Sequence, residues 1–231
     1  MCGRFAASAR VDDLMEFFEI DEKVDGLPPA AYNIAPTDPI AAVLERERDQ
    51  GVRRLLTPLR WGLVPSWAPD ARGAARLINA RLETVADKPS FRKAFASRRC
   101  LIPADGYYEW RPVSSASGKV RKQPYFIHPA DGSPMVMAGL YEFWKAPDGS
   151  WLTTAAIITT QATDHLGYLH DRMPVLVERA HWDAWLDPGF TSGADALVSV
   201  PIHGLEFHPV SEAVNRVAND GPQLCAPLNA E

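Results

Sequence analysis

Cysteine is scarce and unpaired: Cys2, Cys100 and Cys225 are the whole supply in 231 residues, odd in number and far apart. That excludes a disulfide scaffold and fits free thiols in a reducing compartment. Neither Cys-x-x-Cys nor His-x-x-x-His occurs, and His165/His170 and His203/His208 are each five residues apart. Five is a poor spacing for one helix face, so no metal site is expected. Glycine-rich phosphate loops of the Walker or Rossmann kind are missing too, and no cofactor is predicted. Apolar runs such as Ala155 to Ile158 are far too short to cross a bilayer. No charged region leads into an apolar stretch at the N-terminus, as a secretory signal would. The expectation is a cytoplasmic protein without membrane contact.

What is present is the mix of an ordinary globular chain, 46% apolar and 23% charged. The net charge of −5 argues against a nucleic-acid binder, but it hides a split. Residues 46–99 hold 13 Lys/Arg against 5 Asp/Glu, a balance of +8, while the rest holds 11 against 24, or −13. Arginine dominates the basic stretch and suits bidentate phosphate contacts. Two readings stand: a footprint for a polyanion, or a solvated face with local acidic partners.

Gly3 to Ala7 reads as a short strand, and Val11, Leu14, Met15 and Phe18 recur as one face of an amphipathic helix. Tyr32-Asn33-Ile34-Ala35-Pro36-Thr37 reads as a loop between prolines. Ile40–Leu44 and Val52–Leu59 form a predicted hairpin through Asp49-Gln50-Gly51. A helical turn is expected over Phe91–Phe95, and extended structure over 100–103 and 106–110. Ser114 to Lys122 is the most loop-like stretch. Strands are predicted at Tyr125–His128, Met135–Phe143, Leu152–Thr160 and Leu205–Val210, with a packed helix face at Trp182, Trp185 and Leu186. Hairpins outnumber βαβ units. The predicted class is α+β, a single domain over 1–231 with a mainly antiparallel sheet or open, barrel-like core and peripheral helices.

Cys2 carries the most distinctive chemistry. Initiator methionine is generally removed before a small residue, which would leave Cys2 with an α-amine beside a thiol. Such a pair condenses with an aldehyde: the amine forms an imine, the thiol adds to it, and a thiazolidine closes. The second step gains from enforced proximity. Ordinary values near ~8 for the amine and ~8.5 for the thiol leave a modest nucleophilic fraction without special tuning. The other reading is a small apolar residue opening the first strand. Glu109 lies in Tyr107-Tyr108-Glu109-Trp110-Arg111; if extended, it shares a face with Tyr107 and Arg111. A carboxyl among rings suits general acid work; the alternative is an exposed charge paired with Arg111. His170, before Met173-Pro174-Val175, is placed for proton exchange or is simply structural. Asn79 and Arg81 point the same way in extended backbone, able to hold a sugar hydroxyl and a phosphate, or to sit idle on the surface.

Seven segments in order resemble the SRAP family, the SOS-response-associated peptidases associated with abasic-site crosslinking. They are Met1-Cys2-Gly3-Arg4-Phe5, Tyr32 to Thr37, Arg60 to Pro65 with Trp67, Asn79 to Thr84, Arg99 to Trp110, Ala138-Gly139-Leu140 and His170 to Pro174. The resemblance implies a DNA-damage protein that binds single-stranded DNA, often near a junction with duplex, and links covalently to abasic sites through N-terminal Cys2. It implies self-removal of Met1, lyase or reversal chemistry, and a location on the nucleoid when bound to DNA. By the same resemblance, Cys2, Asn79, Glu109 and His170 are the reacting set. Arg4, Arg81 and Arg172 would hold phosphates; Asn33, Pro36 and Trp67 would touch bases or backbone. A rival is an N-terminal cysteine hydrolase, a thiol peptidase or amidohydrolase with His170 as base. A passive single-strand binder is the third reading.

Overall fold

The computed structural model describes residues 2–49, 51–114, 120–190 and 204–228. Met1, Gln50 of the predicted hairpin, His203 and the 115–119 centre of the predicted polar loop lie outside the described residues.

Alternation of apolar residues along long strands builds two sheets. The first places β1 (Phe5–Ala7) between β3 (Ala31–Ile34) and β8 (Gly106–Ser114), with β9 (Val120–Pro129) and β13 (Leu205–Pro209) beyond. Its pairings are antiparallel, with Phe5 opposite both Ile34 and Tyr107. The second sheet carries β4 (Pro39–Arg48), β5 (Gly51–Trp61), β7 (Arg99–Ala104), β10 (Met135–Lys145) and β11 (Trp151–Gln161). Short strands β2 (Glu22–Lys23), β6 (Asn79–Arg81) and β12 (Arg172–Pro174) join its edges. A parallel pairing of β5 with β11, Thr154 opposite Arg60, links the far ends of the path β11-β10-β7-β4-β5 into a ring. This is the barrel-like core expected of an α+β chain.

Each ring strand has two buried faces, and the residues divide by parity. Ile40, Ala42 and Leu44 join Cys100, Ile102, Ala155 and Ile157 in a core shared with Cys2, Phe5 and Tyr107 of the first sheet. Val43, Leu56, Leu101, Ala156 and Ile158 face the other way. There they meet α1 (Val11–Phe17), α2 (Arg92–Ser97) and α3 (Trp182–Leu186) through Leu14, Ala94, Trp182 and Trp185. Burying a side chain of that size contributes about 1.5–3 kcal/mol.

Two expectations change. Ala31–Ile34 is a strand rather than loop, because β1 offers it an edge and Asn33 is anchored elsewhere, as described below. Nor is the basic stretch one continuous exposed face. Arg99 is buried, donating to the carbonyls of Trp185, Phe95, Ala96, Asp187 and Phe190. Arg54 pairs with Glu45 and Asp183, and Arg98 with Glu142. Exposed cations from that stretch include Arg76, Arg81, Lys88, Arg92 and Lys93. Among the described residues no helix is long and apolar enough to cross a membrane.

Candidate active site

Cys2 enters ahead of β1 and is fully buried. Two contacts fix it. The Asn79 side-chain amide donates to the Cys2 carbonyl at 2.8 Å, and the Arg4 backbone N–H supports the sulfur. Asn79 reaches that carbonyl because β6 pairs in parallel with β11, Asn79 opposite Ile157. Its own Oδ1 is buried with no hydrogen-bond partner among the described residues. A buried acceptor of this kind is costly unless something donates to it. The thiol departs from expectation: burial, and then the nearby Glu109 charge, push it far above its ordinary range. In the chain that still carries Met1, burial therefore favours the protonated thiol.

Glu109 is where period-2 alternation put it. Tyr107 faces the core that holds Cys2, whereas Tyr108 and Trp110 pack on the opposite side with Phe126 and Val214. Glu109 is buried and electrostatically coupled to both Cys2 and Tyr107. Arg111, the expected surface partner, stacks its guanidinium 3.5 Å from the Tyr168 ring centroid instead.

Glu109 opens onto a cleft of about 650 Å³, lined also by Arg4, Trp110, Lys122, His170 and Asn215. His170 follows a helical turn at Asp164–Tyr168 and precedes β12. Its Nδ1 lies 2.7 Å from Asp171 Oδ1 and 3.0 Å from the Arg172 backbone N–H. One nitrogen cannot donate and accept together. Neutral imidazole accepts from Arg172 and keeps its proton on Nε2; imidazolium donates to Asp171. Asp171 and the Arg172 N–H thus bear on the same ring nitrogen.

Asn79 and Glu109 adjoin Cys2, and Glu109 shares the cleft with His170 and Arg4. Arg4 donates to Asn33 Oδ1 at 2.7 Å and to the Val214 carbonyl at 2.9 Å, and desolvation lowers its pKa. Asn33 is buried, and its amide reaches the carbonyls of Val214, Arg216 and Asn219 at 3.3, 3.0 and 2.8 Å. It thus clamps the C-terminal segment behind Arg4. Arg172 is engaged as well, with Glu83 at 2.7 and 3.0 Å and with the Thr159 carbonyl at 2.6 Å. Arg81 is exposed on β6, two residues from Asn79. Trp67, 63% exposed, and Pro36 stand on loops and do not line this cleft. Gly62, at φ 114°, lets the chain turn toward Trp67; a Cβ there would meet the Ala74 carbonyl oxygen at 2.7 Å.

Trp110, Arg121, Lys122, Glu212 and Asn215 complete the cleft and were not picked out by sequence. Trp110 had a cue in its adjacency to Glu109. Glu212 and Asn215 had none, since only the fold returns them to β8 and β9. Among the described residues no cluster of three or more His, Cys, Asp or Glu is arranged for a metal.

The family described as SOS response associated peptidase (SRAP) matches residues 1–217. The abasic site processing protein YoqW of Bacillus subtilis is 38% identical over 97% of this chain and 98% of its own. Mouse abasic site processing protein HMCES is 32% identical over 86% of this chain and 65% of its own. A solved structure from Bacteroides thetaiotaomicron superposes with TM-score 0.83 at 22% identity, covering 98% of this chain and all of that one. A phage-related protein from Bordetella bronchiseptica does so with TM-score 0.70 at 28% identity, over 92% of this chain and 95% of its own.

Proposed function

The chain belongs to the SOS response associated peptidase (SRAP) family, and from that premise we propose that it binds single-stranded DNA and crosslinks itself to abasic sites through Cys2. The observation that supports this most is that Cys2, held by Asn79, lies beside Glu109, which shares an open cleft with His170. The names of YoqW and HMCES, both abasic site processing proteins, point to the same substrate.

The substrate form is the ring-opened deoxyribose with its C1′ aldehyde. With Met1 removed, the Cys2 amine attacks C1′. Glu109 moves the proton that lets the hydroxyl depart as water, leaving an imine. The Cys2 sulfur then bonds to C1′ while its proton passes to the former imine nitrogen, and the thiazolidine is complete. One water is lost overall. Asn79 holds the Cys2 carbonyl and aims its free Oδ1 at a hydroxyl or N–H of the adduct. His170 serves the sugar oxygen as proton donor and, by reversal, helps release the adduct.

The depth of the thiol supports one order of events. A thiolate-first attack is disfavoured by burial and by Glu109, so the amine acts before the sulfur. Moving the ammonium onto Cys2 places a positive charge beside the sulfur, which favours ionisation. The same burial counts against an N-terminal cysteine hydrolase, which needs the thiolate as its opening nucleophile. Cys2→Ala tests the reading on a denaturing gel with an abasic oligonucleotide. The variant should give no heat-stable adduct yet still bind single strands; a persisting crosslink of wild-type yield removes Cys2 from the reaction.

A further inference from the structure

Building on the single-strand reading above, we propose that Trp110 and Lys122 form a subsite for the nucleotide beside the abasic residue, the indole taking its base and the ammonium its phosphate. Both line the cleft that Arg4, Glu109 and His170 share. The β8–β9 register sets Pro112 opposite Lys122 and Trp110 opposite Pro124. Directly opposed residues share a sheet face, as do residues two apart. Trp110 and Lys122 are therefore diagonal neighbours on one face, about 7–8 Å apart. That separation suits a base and the phosphate of the same nucleotide.

The indole is already fixed. Its Nε1 donates to Asn215 Oδ1 at 2.7 Å, and the Arg4 guanidinium lies 5.8 Å from its centroid. A ring held in this way gives up little rotamer freedom when a base stacks on it. The base next to an abasic gap has lost a stacking neighbour, and an aromatic face replaces that neighbour without regard to sequence. Arg121, the next residue along β9 and also on the cleft wall, pairs with Glu212 at 2.9 Å, both well exposed. Such surface pairs contribute little, so a phosphate displaces Glu212 readily and gains a second cation.

The test uses the full chain and a non-reactive tetrahydrofuran analogue of the abasic site, which has no aldehyde, so binding is read apart from crosslinking. One oligonucleotide carries a single tetrahydrofuran residue between ordinary nucleotides; the other carries three in a row and lacks the flanking bases. Trp110→Ala should bind the first about ten-fold more weakly than wild type and the second equally well. Trp110→Phe, which keeps a ring and the packing, should recover most of that loss. Lys122→Gln should reduce the steepness of log affinity against log salt by about 0.7, one single-strand phosphate contact. Equal losses on both oligonucleotides, or no loss on either, overturns the subsite. If wild type binds no single strand at all, the proposed function fails first and the subsite with it.

Discussion

Asn33 offers a sharp test, because its polar atoms are engaged inside the fold. Asn33→Ala removes an amide that donates toward three carbonyls, at 2.8, 3.0 and 3.3 Å, and an oxygen that accepts from Arg4 at 2.7 Å. The amide has only two hydrogens, so the 3.3 Å contact shares one and adds little. Two donated bonds and one charge-assisted bond remain to be counted. A buried group left unpaired costs about 1–3 kcal/mol, but Arg216 and Asn219 lie near solvent and their carbonyls regain water. The net expectation is a loss of about 3 kcal/mol. For a chain of this length that corresponds to a fall in Tm of about 6–12 °C. Thermal unfolding followed by circular dichroism at fixed pH and salt reads this directly. A variant melting within about 1 °C of wild type would refute the clamp.

Glu109→Gln preserves shape but cannot exchange a proton, so single-turnover adduct formation near neutral pH should slow by about 10²–10⁴-fold; unchanged kinetics would exclude Glu109 from the proton transfers. Cys100 lies fully buried and burial raises its thiol pKa. The folded chain therefore keeps a proton that the unfolded chain releases above about pH 8.5, and stability falls as pH rises from there, by about 1.4 kcal/mol per pH unit per thiol. Removing that thiol with Cys100→Ala should flatten the alkaline decline in Tm relative to wild type; an unaltered slope would mean that the buried thiol is not the source.

Strand-level features were legible in the sequence where one local period governs them. Tyr107 and Glu109 on one face, Tyr108 and Trp110 on the other, follow from alternation alone. The same holds for the α1 and α3 faces that carry Leu14 and Trp185. Closure of the ring was not legible, since the β5–β11 pairing joins Arg60 to Thr154 with no local signal. Charge counting along 46–99 left two readings open, because composition does not distinguish Arg99, turned inward to five carbonyls, from exposed Arg92. At the site, Cys2, Asn79, Glu109 and His170 stood out by residue type and by family motif. Their environment did not: burial raises the Cys2 thiol pKa while Met1 is attached, which no motif announces. The cleft wall formed by Glu212 and Asn215 depends on a return of the chain that no motif marks.

The most direct measurement is intact mass spectrometry of the purified chain before and after incubation with an abasic oligonucleotide. The expected result is a protein lacking Met1, then a species heavier by the oligonucleotide minus one water, with the attachment on residue 2. A fully reactive preparation that retains Met1, or an adduct mapped to any other residue, contradicts it.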